Sequence, residues 1–348
     1  MRSEILKDLI KINTINDLEN KSMRDYLKNI LLPLGFSFEE FGDDNKSVLV
    51  AKRGNGNLGF VCHTDTVNSS PFWTYEPFKL TIDGDRMYGL GVADMKGGIA
   101  ALINALMEID NKYPVTIYFT YDEEINFEGM RKLLIRKEFP DILVFPEPTY
   151  NVPALANKGC LEFEVSFVGR SAHSSEPMKG DNAIYKAVSF INELKDYSES
   201  IKETKNDLYE IPYTTFNLGK IKGGDAINKV ADNCQVSFDF RTIDRKQEKE
   251  IKTKIYKLAK KYMASVNIIN NLSSAMTESN EFKNIIMSIC DAECMGLNYV
   301  TEASLIDNKK ILILGPGPIT AHQSDEYILR DSYDKIIEVY KKIIKELS

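Results

Sequence analysis

LGFVCHTD, residues 58–65, is a continuous apolar run that closes on a histidine and an aspartate two positions apart. Such a run, without polar alternation, reads as a strand covered on both faces, as in an α/β sheet. SVLVAKR (47–53), VTIYFTY (115–121), DILVFPE (141–147) and ILILGPG (311–317) have the same form. GGIAALINALMEI (97–109) reads as a helix between two of them. Apolar spacing predicts further helices at 4–12, 19–31, 127–137, 279–293 and 326–347, and FKLTIDGDRMYGLG (78–91) reads as a hairpin turning at Asp83-Gly84.

The middle of the chain has another rhythm. CLEFEVSFV (160–168) alternates, and a helix (181–196), two strands (213–220 and 233–241), a charged helix (245–262) and a short strand (264–269) follow. This β-α-β-β-α-β order is the ferredoxin-like pattern. With 348 residues, two domains are expected: 1–158 with 271–348, and an inserted 159–270.

Composition narrows the function. The 44 basic and 51 acidic side chains leave a net charge of -7, so no nucleic-acid partner is expected. No apolar run approaches the roughly 20 residues of a membrane span. The five cysteines are odd in number and form no CxxC pair, which fits a reducing compartment. MRSEILKDLIKIN reads as an amphipathic helix rather than a signal peptide, so a cytoplasmic location is expected.

There are three histidines: His63, His173 and His322. His63 and Asp65 close the strand at 58; residues i and i+2 of an extended chain share a face, and a ligating imidazole usually gives its second N–H to a carboxylate or carbonyl. Asp94 precedes Gly97-Gly98, either as a helix N-cap or as a ligand. Asp122-Glu123-Glu124 follows the strand at 115, Glu147 stands between two prolines, and His322 follows Gly315-Pro316-Gly317. Alone, each phrase has a bland alternative in a strand-end loop or a solvated acidic turn. Together, His63, Asp94, Glu124, Glu147 and His322, with Asp65 and Glu123 to spare, suit two divalent cations bridged by a carboxylate.

The chain resembles the dinuclear-zinc amidohydrolase and peptidase family, which includes amino-acid deacetylases, desuccinylases and aminoacylases. The resemblance runs from about residue 45 to 330, through HTDTV (63–67), YGLGVADMKGG (88–98), DEExxxxG (122–129), EPT (147–149), AHSSEPxxGxNAI (172–184), NLGxIxGGDAxN (217–228), NYVTEA (298–303) and LGPGPITAHQSDEYI (314–328). It implies a zinc-peptidase-like α/β catalytic domain with an inserted ferredoxin-like α+β lid and dimerisation domain. It also implies two Zn2+ per subunit, with Co2+ a workable substitute. Asp94 would bridge them, His63 and Glu147 completing one ion, Glu124 and His322 the other. Asp65 would orient His63, and Glu123 would carry a proton from water to the leaving amine. The peptide Asp94–Met95 is expected to be cis.

By the same resemblance, His173 reaches the partner subunit's site in a homodimer formed through the inserted domain and holds the oxyanion there. Asn228 and Arg241 bind substrate. Glu302 is placed near a substrate ammonium, or is a core acid. The expected substrate is a small N-acylated amino acid, first of all Nα-acetyl-L-ornithine, in arginine biosynthesis. Rivals are a succinylated diaminopimelate, a carrier-protein lysine or ornithine, and a dipeptide. A non-catalytic metal-binding relative is the reading from another class.

Overall fold

The computed structural model describes residues 2–16, 19–136, 139–307 and 309–348. The chain divides into two compact units: 1–156 with 276–295 and 305–348, and 157–275 with 296–304. The second is larger than the insertion read from the sequence, because 296–304 belongs to it. Lys158 N donates to Leu297 O at 3.0 Å, and Asn157 Nδ2 to Ser304 Oγ at 2.6 Å. Glu302 therefore lies in the second unit, although chain position places it with the catalytic part.

In the first unit the sheet runs Ser37–Gly42, Ser47–Arg53, Val115–Thr120, Leu58–His63, Ile142–Phe145, Lys310–Ile313, Ala154–Asn157. Its four central strands, from Val115–Thr120 to Lys310–Ile313, are mutually parallel. Their C-terminal ends therefore open on one edge, where α/β sheets bind ligands. Every residue of Leu58–His63 and Val115–Thr120 is buried, as their unbroken apolarity predicts. The polar edge strand Ser37–Gly42, mostly exposed, carries no such signal and escapes sequence reading.

Helix Gly97–Met107 packs against helices Ser3–Lys11 and Arg330–Leu347 and is buried from Gly97 to Leu106. Each large apolar side chain so covered contributes about 1.5–3 kcal/mol. Phe60 meets Tyr340 edge-on at 5.6 Å. Tyr340 is fully buried and its hydroxyl donates to Leu314 O at 2.5 Å. The helix expected at 127–137 covers Glu128–Leu134, and position 137 lies outside the described residues.

The last helix begins at Arg330 rather than 326. Tyr327–Leu329 instead forms a strand against Arg86–Tyr88, with Tyr327 opposite Tyr88. Together with Thr81–Asp83 these make a small three-stranded sheet. Local apolar spacing favours helix there, but the pairing with the hairpin prevails.

The second unit is a four-stranded antiparallel sheet in the order Thr215–Gly223, Asn233–Thr242, Gly159–Val168, Ala264–Leu272. Leu161, Phe163, Val165 and Phe167 turn inward and share a core with Ala187, Phe190, Leu194, Ile251 and Ile255 of its two helices. Asn182 and Asp244 cap those helices, their side chains accepting Ile184 N–H at 2.9 Å and Gln247 N–H at 2.7 Å; each cap is worth about 1 kcal/mol. Among the described residues no helix is long and apolar enough to cross a membrane.

Candidate metal centre

The parallel strands explain why residues distant in sequence meet. His63 ends its strand level with Thr120, so the turn after Thr120 carries Glu123 and Glu124 beside it. Glu147 leaves the neighbouring strand on the same edge. Asp94 arrives by another route. It follows the small hairpin rather than a strand of the main sheet, in an irregular turn over Val92–Lys96. Its φ of -125° and ψ of 90° lie outside the helix, and it does not cap Gly97–Met107. The Asp94–Met95 peptide is cis. His322 follows Lys310–Ile313 only after a loop, with φ 63°.

Asp94 sits between the two imidazoles. Its Oδ1 is 2.9 Å from His63 Nε2, and its Oδ2 is 3.5 Å from His322 Nε2. His63 Nε2 is also 3.8 Å from Glu147 Oε1, and His322 Nε2 is 2.9 Å from Glu124 Oε2. Two groups of donors result: His63, Asp94 and Glu147, then Asp94, Glu124 and His322. Within each, the donor atoms lie within 4.8 Å of one another. Asp94 belongs to both.

Asp65 meets His63 through its backbone. The backbone carbonyl of Asp65 accepts His63 Nδ1–H at 3.1 Å, whereas its carboxylate stands at 3.7 Å, too far for a hydrogen bond. The carbonyl holds the proton on Nδ1, so Nε2 is the ring atom directed at Asp94 and Glu147 and the one an entering ion would take. The Asp65 carboxylate instead accepts Glu124 N–H at 3.2 Å. It thus ties the two donor groups through backbone.

The electrostatics are those of crowded acids. Burial raises the carboxyl of half-buried Glu123 well above its ordinary value; His63 opposes this, while Glu147, Asp94 and Glu124 add to it. Burial likewise raises Glu124. Burial depresses the charged form of His63, but Glu147, Asp65 and Asp94 outweigh it and lift the imidazole well above 6.5. Hydrogen bonds to Asp94 and Glu124 carry His322 up to about 10. Among the described residues, Glu124 Oε1 and Asp65 Oδ1 are buried without a hydrogen-bond partner. Two imidazoles and three carboxylates, that of Glu124 with an orphaned oxygen, form a donor set that suits divalent cations.

His173, Asn228, Arg241 and Glu302 lie in the second unit. His173 and Asn228 are neighbours: Ser174 N donates to Asn228 O at 3.1 Å, and His173 bridges Lys229. Exposed His173 accepts Ser175 N–H on Nδ1 at 3.2 Å, with Ser175 Oγ at 2.7 Å from the same atom. Nδ1 is thereby an acceptor, and the proton resides on Nε2. Arg241 Nε binds Asp239 Oδ2 at 2.7 Å, a salt bridge within its own strand. Glu302 is 1 % exposed, in the short helix Glu302–Leu305.

Two buried titratable side chains, Lys96 and Glu326, escaped the sequence reading. Lys96 donates from Nζ to Ile12 O at 2.9 Å, and burial lowers it to about 7, with Glu326 opposing. Glu326 lies beneath the Asp94 turn. It falls within the motif at 314–328, four residues after His322, but helical spacing made it look like a helix start.

Residues 155–267 match the family model described as a peptidase dimerisation domain. Among solved structures, a tripeptidase from Staphylococcus aureus superposes with TM-score 0.79 at 20% identity, covering 99% of this chain and 98% of that one. An aminopeptidase from Bacillus cereus superposes with TM-score 0.81 at 18% identity, with the same coverages. The chain thus has the peptidase fold with a dimerisation domain inserted. In sequence it is 33% identical to the acetylornithine deacetylase of Pasteurella multocida over 356 residues, 94% of this chain and 91% of that protein. It is 31% identical to that of Vibrio cholerae over 373 residues, 99% of this chain and 97% of that protein. The chain belongs to the acetylornithine deacetylase family.

Proposed function

We propose that this protein hydrolyses the acetyl amide of Nα-acetyl-L-ornithine, releasing ornithine and acetate, with two zinc ions per subunit. The observation that carries the reading is the carboxylate of Asp94, shared between two groups of imidazole and carboxylate donors. His63, Asp94 and Glu147 would hold one ion, and Asp94, Glu124 and His322 the other. Bound there, two divalent cations supply an acidified water and polarise the acyl carbonyl.

Glu123 takes the proton from the attacking water and returns it to the amine as the C–N bond breaks. Its carboxyl, pushed upward by burial and by neighbouring acids, is suited to carry a proton near neutral pH. Asp65 keeps His63 and Glu124 in register through backbone. The partner subunit's His173, with its proton on Nε2, donates to the oxyanion. Asn228 and Arg241 bind the α-carboxylate end, and Glu302 faces the distal ammonium.

One panel tests this: kcat/KM for acetyl-ornithine, acetyl-citrulline, succinyl-diaminopimelate and a dipeptide. Acetyl-ornithine should lead. Preference for the succinyl substrate or the dipeptide would replace the substrate and leave the chemistry. Metal uptake with no turnover of any of them would favour a non-catalytic metal-binding role.

A further inference from the structure

Glu326 is 2 % exposed and accepts three backbone N–H groups. Oε2 takes Gly91 N–H at 2.9 Å; Oε1 takes Ala93 N–H at 2.7 Å and Asp94 N–H at 3.1 Å. These are the residues that deliver the shared carboxylate. Glu326 O in turn accepts Gly89 N–H at 3.2 Å. Beside it, Asp325 Oδ1 accepts Thr74 N–H at 2.7 Å and Tyr75 N–H at 3.1 Å. His322 and Asp325 both hold left-handed backbone, φ 63° and 55°. Non-glycine residues keep that conformation only where their surroundings over-determine it.

We propose that Glu326 is a positioning residue for the metal centre: its carboxylate grips the turn that presents Asp94, on the same short segment that presents His322. The claim rests on the proposed metal-dependent function. Glu326 belongs to neither donor group. It acts through the N–H of Asp94, and through the spacing between Asp94 and His322. A carboxylate matches three convergent donors with two acceptor oxygens. An amide of equal size would turn its NH2 against at least one of them.

The test compares wild type, Glu326→Gln and Glu326→Asp. Metal-free protein is titrated with Zn2+ against a chromophoric chelator, the Co2+ absorption spectrum is recorded, and Tm of the metal-free forms is measured. The expected result is a 10–100-fold loss of metal affinity in Glu326→Gln, as for other partners that orient ligands. An altered Co2+ spectrum, lowered kcat with little change in KM, and partial recovery in Glu326→Asp should accompany it. Affinity within twofold of wild type in both variants, whatever happens to Tm, overturns the proposal. Should Glu326→Gln fail to fold, Glu326→Asp decides on the same criterion. If wild type itself takes up no metal, the functional reading has failed and this inference falls with it.

Discussion

Asp94 places Oδ1 2.9 Å from Nε2 of His63, a residue 31 positions earlier in the chain. Its second oxygen is turned to His322. A carboxylate so divided makes the two donor groups interdependent. Asp94→Ala should therefore abolish binding of both ions, whereas His322→Ala should weaken one and spare the other. Equilibrium dialysis with metal analysis reads this directly. Retention of one tight ion in Asp94→Ala would show that Asp94 does not bridge.

Glu123, in neither donor group, is the proposed proton carrier. Glu123→Gln should keep two ions while kcat falls about 10²–10⁴-fold, the usual weight of general acid–base catalysis. Steady-state kinetics beside metal analysis checks it, and turnover near the wild-type rate would remove Glu123 from that role.

Metal uptake should depend on pH through the two histidines. In the metal-free protein His322 titrates at about 10, lifted by Asp94 and Glu124, and His63 lies well above 6.5. Both are protonated at pH 7, and an entering ion must displace those protons. Affinity should strengthen as pH rises toward 10, and calorimetry in buffers of different ionisation enthalpy should show up to about two protons released per subunit. Stability of the metal-free protein runs the other way. A histidine raised on folding contributes fully below its unfolded value near 6.5, and that contribution fades as pH climbs through about 10. Tm of the metal-free form should therefore fall over that range.

His173 should act across subunits. Mixing His173→Ala with Glu123→Gln places one intact site in each mixed dimer, so activity should return to about a quarter of wild type after random reassortment of a two-fold dimer. No recovery despite mixed dimers would place His173 in its own subunit's site. Ser175→Ala, which loses the hydroxyl 2.7 Å from Nδ1, should lower kcat more than it raises KM.

Gly98 is a packing requirement of the centre. A Cβ there would stand 2.2 Å from Pro146 O and 2.7 Å from Pro146 Cβ, beside Glu147. Gly98→Ala should cost about 1–3 kcal/mol by overpacking and loosen metal binding, because it forces apart the segments that bear Asp94 and Glu147. Chemical denaturation and a metal titration measure the two effects. Unchanged values in both would contradict the close approach.

The main strands and helices were legible in the sequence, because burial on both faces demands unbroken apolar runs and amphipathic helices keep their period. The candidate site residues were legible as a set: His63, Glu123, Glu124 and Glu147 close or follow such runs, and together they outweigh the bland alternative that each phrase has alone. Asp94 was ambiguous. An aspartate before Gly97-Gly98 suits an N-cap as well as a ligand, and only its non-helical backbone separates the two.

By itself, the sequence determined which strands are buried, that a β-α-β-β-α-β unit is inserted, and which side chains are rich in donor atoms. The tertiary structure decided what each does. Parallel pairing set the strand ends on one edge. The pairing of Tyr327–Leu329 with Arg86–Tyr88 took residues from the expected helix and brought the His322 segment beside the Asp94 turn. It also left Glu326 beneath that turn, gripping three backbone N–H groups. Local spacing reports on helix and strand period, but strand pairing and a carboxylate's choice of distant backbone donors depend on contacts between remote segments, and those exist only once the chain has folded.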